Sequence, residues 1–352
     1  MVQNKGLIFK NVPNGWPKPG HDLVVEARDF DLDQSLPEGG VVVKNHYLSF
    51  DPYQRGRMRA PDTPSYSPPF KLGEPITNRG ISTVVSSSTP DFKKGDVVVG
   101  NAIIGTEEYS VLTAEHTKLV KKLDNPLGLD PKIFLGALGM PGLTAWSSFY
   151  AIGEPKKGES ILVSAASGAV GQIVGQLAKH EGLKVYGSVG DDAKLKYILE
   201  ELGFDGGFNY KKETPGDALA RLAPDGIDIY YENVGGVQLE AALNAMKPFG
   251  RIIACGMISQ YNLPPKEWYG IKNTMMIVAK RVKFQGFIVG DDNMGPKYTK
   301  EHQEKLQQWI KDGSFKVKFS ETVGIDNAVD GFIGMLEGKN FGKSVMVISE
   351  ID

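Results

Sequence analysis

The sequence predicts an α/β protein in which a doubly wound parallel sheet is joined to a barrel-like β domain. Three observations carry this reading. The first third of the chain is β-rich and broken by Gly, Pro and Asp turns; beyond Asn125-Pro126, strands alternate with helical patterns about a dozen residues long; and a small-residue turn links a strand to a helix near the middle. At 352 residues and 38.3 kDa the chain exceeds the size at which a single core keeps growing, so two domains are expected. We assign residues 1–126 to the first, 127–314 to the second, and 315–352 to a return into the first.

In chain order, the β-rich part contains DLVVEARDF, GGVVVKNHYLSF, GISTVVSS, GDVVVG and EEYSVLT. The proline-rich stretch Pro61 to Pro69 is too rigid and polar for an interior element and reads as a surface loop bordering a pocket. The second part opens with the apolar strand ILVSA. The following AVGQIVGQLAKH sets Val170, Ile173, Val174, Leu177 and Ala178 at helical spacing. The unit repeats as KVYGSV with a helix from Ala193, as IDIYYENV with a helix from Leu239, and as RIIACG. Such continuous apolar runs belong to strands buried on both faces. The tail returns to strands, KVKFSETV and KSVMVI, around a helix from Asn327 to Leu336.

Composition excludes several functions. Forty basic against forty-two acidic residues leave a net charge of −2, without the single-sign field of a nucleic-acid or anionic-membrane binder. One cysteine, Cys255, rules out an internal disulfide and fits a reducing, cytoplasmic setting. The residues at either end carry no export, anchoring or retention signal. With one cysteine and five scattered histidines (His21, His46, His116, His180, His302), no zinc site is expected. No G-x-S-x-G elbow is present, and Gly338 to Ser344 imitates a P-loop with one residue too few, after a helical stretch.

The strongest local signal is Ser164-Ala165-Ala166-Ser167-Gly168-Ala169-Val170-Gly171, a dinucleotide fingerprint with Ala166 in place of its first glycine. Small residues let the backbone approach a pyrophosphate, and the helix N-terminus offers unpaired N–H groups. Asp191, twenty residues beyond Gly171, is where an acid would grip a ribose 2′-hydroxyl, which favours NAD. Against this, Asp191 and Asp192 stand where they could cap the helix that follows Gly190, while Lys194 and Tyr210 could close on a 2′-phosphate. Spacing alone leaves both cofactors open. Asn233 and the turn Cys255-Gly256-Met257-Ile258 follow strands at their carboxyl ends, where such sheets bind ligands, and are expected at the cofactor. Phe287, Ile288 and Val289 either supply backbone groups to its carboxamide or form a buried strand. Arg55 and Arg57 read as structural ion-pair formers.

The segments HYLSFDPYQRGRM (46 to 58), GALGMPGLTAW (136 to 146), SAASGAVGQIVGQLAK (164 to 179), GFDGGFNYK (203 to 211), GIDIYYENVGG (226 to 236), GRIIACGMISQYN (250 to 262), GFIVGD (286 to 291) and GKNFGKSVMV (338 to 347) carry a resemblance over almost the whole chain. It resembles the zinc-independent medium-chain dehydrogenase/reductases, within them the alkenal/enone double-bond reductases that include the leukotriene B4 12-hydroxydehydrogenase (prostaglandin reductase) group. The resemblance implies a GroES-like substrate and catalytic domain, a Rossmann cofactor domain, and NADPH held at its 2′-phosphate by Lys194 and Tyr210. It implies that Asn340 contacts the cofactor, and that Tyr53 and Tyr261 lie at a domain cleft beside the nicotinamide. Gln54 replaces a methionine common in the family and is expected at the pocket edge. The implied reaction is reduction of an enal or enone by a homodimer. Hydride reaches the β-carbon while Tyr53 and Tyr261 donate hydrogen bonds to the enolate oxygen. A quinone oxidoreductase and a non-catalytic NADPH-binding protein are the competing readings.

Overall fold

The computed structural model describes residues 1–351, and the chain divides into two units: Met1–Leu135 with the described residues from Phe319 onward, and Gly136–Lys318. The first begins with β1 (Val2–Phe9), paired antiparallel to β2 (Leu23–Phe30). It continues through β3 (Val41–Ser49), the short helix α1 (Gln54–Arg57), β4 (Thr77–Ser87), β5 (Val97–Gly105), β6 (Tyr109–Leu112), α2 (Ala114–Thr117) and β7 (Val120–Lys122). Residues 61–66 of the proline-rich loop are exposed, whereas Phe70 beyond it is buried.

Between Pro131 and Leu135 a single 3-10 turn stays with the first unit: Lys132 pairs with Glu321, and the Phe134 carbonyl accepts from Arg79 Nε. These contacts lie beyond the composition change at Pro126, so the structural division falls later in the chain than the change in texture.

The second unit contains α3 (Met140–Ser148), β8 (Ser160–Val163), α4 (Gly171–His180), β9 (Lys184–Val189), α5 (Asp192–Lys196), β10 (Gly206–Asn209), α6 (Pro215–Leu222), β11 (Ile227–Glu232), α7 (Gly236–Ala245), β12 (Met246–Ala254), α8 (Met275–Lys280), β13 (Lys283–Gly286) and α9 (Gly295–Lys311). Its six strands pair in the order β10-β9-β8-β11-β12-β13, all parallel. Numbered within the sheet this is 3-2-1-4-5-6, the doubly wound order of the Rossmann fold. Burial explains the apolar strands, for Ile161, Val163, Ile229, Tyr230 and Tyr231 are wholly buried. Helix α4 inserts Ile173, Val174, Leu177 and Ala178, as its spacing predicts, while Val170 is only half-buried. Helix α7 starts at Gly236, three residues before the expected Leu239, because Gly235 and Gly236 both take positive φ and turn the chain directly into it.

The chain returns to the first unit as β14 (Phe319–Val323), α10 (Ala328–Leu336) and β15 (Lys343–Val347). The larger sheet there runs β14-β15-β3-β4-β5-β7, with β6 also on β3. Phe332 of α10 meets Phe50 edge-on with ring centroids 5.5 Å apart, and Leu7, Phe9, Leu48 and Met346 share the same core. This is the GroES-like partner of the Rossmann unit.

Candidate active site

In an open parallel sheet, ligands bind beyond the carboxyl ends of the strands where the strand order reverses. Here that point lies between β8 and β11, and the residues following the two strands are tied together. The Asn233 N–H donates to Ser164 Oγ (2.8 Å), and Asn233 Nδ2 donates to the Ser164 carbonyl (2.7 Å). Glu232 is fully buried beneath them. Its Oε1 accepts the N–H groups of Val234 (2.5 Å) and Gly235 (2.8 Å), and burial raises its pKa above the ordinary carboxylate value. The sequence marks Asn233, and Ser164 as the start of the fingerprint, but neither their bond nor Glu232, since these contacts cross from one strand to another.

The fingerprint turn has little steric freedom. Ala165 takes a left-handed φ of 48°, and its carbonyl accepts the Gly168 N–H at 2.9 Å. A Cβ on Gly171 would stand 2.3 Å from that carbonyl oxygen and 2.8 Å from Ala166 Cα, so only glycine fits. Ser167 is buried and Gly168, Ala169 and Val170 are half-buried as the chain enters α4. The helix therefore starts at the switch point, with no side-chain cap on its N-terminal N–H groups.

At the end of β9, a Cβ on Gly190 would lie 2.8 Å from the Tyr210 hydroxyl, so glycine lets that phenol pack on the backbone. Asp191 caps α5: its Oδ1 accepts the Lys194 N–H at 2.8 Å, and its Oδ2 lies 3.5 Å from Lys194 Nζ. Asp192 accepts from Asn209 Nδ2 (2.8 Å) and pairs with Lys212. Both acids thus have structural partners, and capping accounts for Asp191 at the fingerprint's acidic position. Lys194 is buried, and the Tyr210 pKa is raised, first by burial and then by the charge of Asp191.

Farther along, the Cys255 and Gly256 N–H groups both donate to the Glu232 carbonyl (3.0 and 3.1 Å). Tyr261 folds over this turn, its hydroxyl accepting the Met257 N–H at 3.3 Å. Burial pushes the Cys255 thiol up to about 12, so it carries its proton. Phe287, Ile288 and Val289 follow β13 and are half-buried or exposed, which corrects the buried-strand alternative. The Ile288 and Val289 carbonyls accept the N–H groups of Asp291 and Gly295.

In the first unit, Tyr53 immediately precedes α1. Burial pushes its phenol up to about 12, with Asp51 adding in the same direction and Arg57 opposing. Arg57 donates to the carbonyls of Pro68 and Thr77 (3.0 Å each) and covers the Phe70 ring at 4.2 Å. Arg55 donates to the Gly15 carbonyl at 2.6 Å. Both arginines therefore brace loops, Arg57 also through the Thr77 hydroxyl, and the charge of Asp22 acts on Arg55. Gln54 also departs from expectation: it is wholly buried, not at a pocket edge, because its amide bonds to Asp51, Ser49 and Asn78. Asn340 donates to the Gly342 carbonyl (2.8 Å) in the turn before β15. His46 bonds Ser349 and Thr83, and His302 bonds the Ala137 carbonyl. Among the described residues, no group of three His, Cys, Asp or Glu could hold a metal ion, and no helix is long and apolar enough to cross a membrane.

A 3-2-1-4-5-6 sheet with a glycine-locked turn at its switch point, carried on a chain with a separate β unit, has the architecture of a two-domain dinucleotide-binding protein, and the relatives make it an oxidoreductase. Residues 5–120 match the family described as the N-terminal domain of oxidoreductase, and residues 169–311 match the zinc-binding dehydrogenase family. The chain is 57% identical to the NADP-dependent oxidoreductase RED1 of Cochliobolus heterostrophus, over 100% of this chain and 99% of that protein. It is 45% identical to the 2-alkenal reductase (NADP(+)-dependent) of Nicotiana tabacum, over 99% and 98%. The crystal structure of CurA in complex with NADPH from Vibrio vulnificus superposes with a TM-score of 0.87 at 34% identity, covering 98% of this chain and 99% of that one. The chain belongs to the medium-chain dehydrogenase/reductase family, in its zinc-independent branch.

Proposed function

We propose that this protein reduces the carbon–carbon double bond of α,β-unsaturated aldehydes and ketones with NADPH. The observation that carries the reading is the glycine-locked fingerprint turn at the switch point of a Rossmann sheet, in a family whose tobacco member is a 2-alkenal reductase. When bound, NADPH supplies the hydride. The cradle fits a dinucleotide: Gly171 lets α4 pack directly on the Ala165–Ala166 turn, and Ser167, Gly168, Ala169 and Val170 lead into the α4 N-terminus, whose N–H groups suit a pyrophosphate. Buried Lys194, with Tyr210 packed on Gly190, suits the 2′-phosphate. Asn233, Cys255, Gly256, Met257, Phe287, Ile288, Val289 and Asn340 complete the proposed cofactor set.

Tyr53 and Tyr261 are the proposed donors to the substrate carbonyl, stabilising the enolate oxygen as charge builds there. The N–H that Met257 donates to the Tyr261 oxygen polarises its O–H bond, which strengthens it as a donor. A homodimer is also proposed, supported by β13 at the open edge of its sheet and by exposed Met275 and Val278 on α8; sedimentation tests it.

The decisive experiment follows NADPH consumption with an enal, an enone and a quinone, and identifies the products. A saturated aldehyde or ketone with its carbonyl intact is expected. Hydroquinone formation without alkene reduction identifies a quinone reductase, and NADPH binding without turnover on any of the three identifies a binding protein. Tyr53→Phe and Tyr261→Phe should each lower kcat by about a hundredfold with little change in NADPH affinity.

A further inference from the structure

Beneath the turn that carries Tyr53 lies a polar cluster that core packing by itself does not require. Lys343, the first residue of β15, is only 1% exposed. Its ammonium donates to the carbonyls of Phe50 and Ser344, both at 2.6 Å, and lies 3.4 Å from Asp51 Oδ1. Asp51, 4% exposed, accepts the Ser49 hydroxyl through its other oxygen. The Asp51 N–H donates to Gln54 Oε1 (2.8 Å), and Gln54 Nε2 reaches the Ser49 carbonyl (3.3 Å) and Asn78 Oδ1. Asn78 in turn donates to Thr106.

Burying an ion pair is costly, and an apolar pair of similar volume is often no less stable, so stability is a weak reason for one here. What the cluster does is local. Helix α1 has four residues, too few to hold its own shape, and the buried groups fix the six residues from Ser49 to Gln54 from the interior side. Tyr53 lies within that span.

We propose that Lys343 and Asp51, together with Gln54, act as positioning residues that fix the turn carrying Tyr53 and so hold its phenol, which meets Arg57, in one orientation; the consequence for turnover rests on the role of Tyr53 given above. The cluster tethers β15 to the turn after β3, so the return segment of the chain governs a side chain that belongs to its beginning.

The test uses full-length protein labelled with 13Cζ-tyrosine, the Tyr53 resonance being assigned with Tyr53→Phe. In Lys343→Met, the Tyr53 signal should shift or split while those of other tyrosines stay in place. The double variant Asp51→Asn/Lys343→Met leaves no unpaired buried charge, and gives the same readout should the single variant not fold. Turnover of an enal should fall about tenfold with the NADPH Kd unchanged, as expected when a reacting group is misplaced. In a Tyr53→Phe background, Lys343→Met should lower kcat no further, because its effect runs through the missing hydroxyl. An unmoved Tyr53 resonance in the folded variants overturns the proposal. A moved resonance with kcat unchanged by Lys343→Met and by Tyr53→Phe upholds the positioning and overturns the role of Tyr53 in the reaction.

Discussion

Two turns carry the chemistry proposed for this protein, and they are held by opposite means. The Ser164 to Gly171 turn is shaped by what is missing: without a Cβ, Gly171 can sit against the Ala165 carbonyl, while Ser164 at its start is tied across to Asn233. The Ser49 to Gln54 turn is shaped by what is added: its own Asp51 and Gln54 meet a buried lysine from β15 and the Asn78 amide from β4. The first arrangement is sterically strict at its glycine. The second is long-range, and its strength depends on every partner being present.

The largest effect should come from unpairing the second turn. Lys343→Met leaves Asp51 buried without its cation and should destabilise the protein by about 3–5 kcal/mol. Adding Asp51→Asn should recover most of that, as read from denaturant midpoints. Full recovery of turnover along with stability would show that the pair contributes nothing specific to Tyr53.

The glycine-locked turn should respond to added volume instead of lost charge. Gly171→Ala forces a methyl group against fixed backbone and should cost about 1–3 kcal/mol, with weaker NADPH binding in fluorescence titration. Unchanged binding would show that the turn tolerates the extra atom and does not approach the cofactor.

Lys194→Ala should weaken NADPH relative to NADH by about ten- to a hundredfold, the size of one charged hydrogen bond. Equal loss for both cofactors would assign Lys194 to the Asp191 ion pair alone.

The smallest effect concerns pH. With its phenol raised from 10.0 to about 12, Tyr53 binds its proton more tightly in the folded than in the unfolded state. Its contribution to stability is therefore complete below pH 10.0 and declines as the pH rises toward about 12. The kcat ratio of wild type to Tyr53→Phe should accordingly stay flat from neutrality to about pH 10.

The Rossmann unit was largely legible in the sequence because its signals are short-range. Apolar strands, the 3.6-residue spacing of α4 and the small residues before it lie within one stretch of chain and mark a doubly wound sheet, whose strand order the structure supplies. Asp191 was the ambiguous residue, since capping and ribose recognition ask for the same side chain at the same place, and only the Lys194 N–H decided for capping. Gln54 looked like a substitution at the pocket edge because its partner Asn78, which in turn donates to Thr106, stands on a strand farther along the chain. Lys343 appeared only within a strand, a resemblance segment and a false P-loop, with nothing to mark it as a buried charge.

The sequence by itself determined the two-part architecture, the fingerprint turn and the family, because periodicity and backbone stereochemistry act between near neighbours. Only the tertiary structure decided which charges are buried and which side chain each one holds. Lys343 and Phe50 are 293 residues apart in the chain yet 2.6 Å apart in space, and the energy of a buried charge depends on partners that no local pattern specifies.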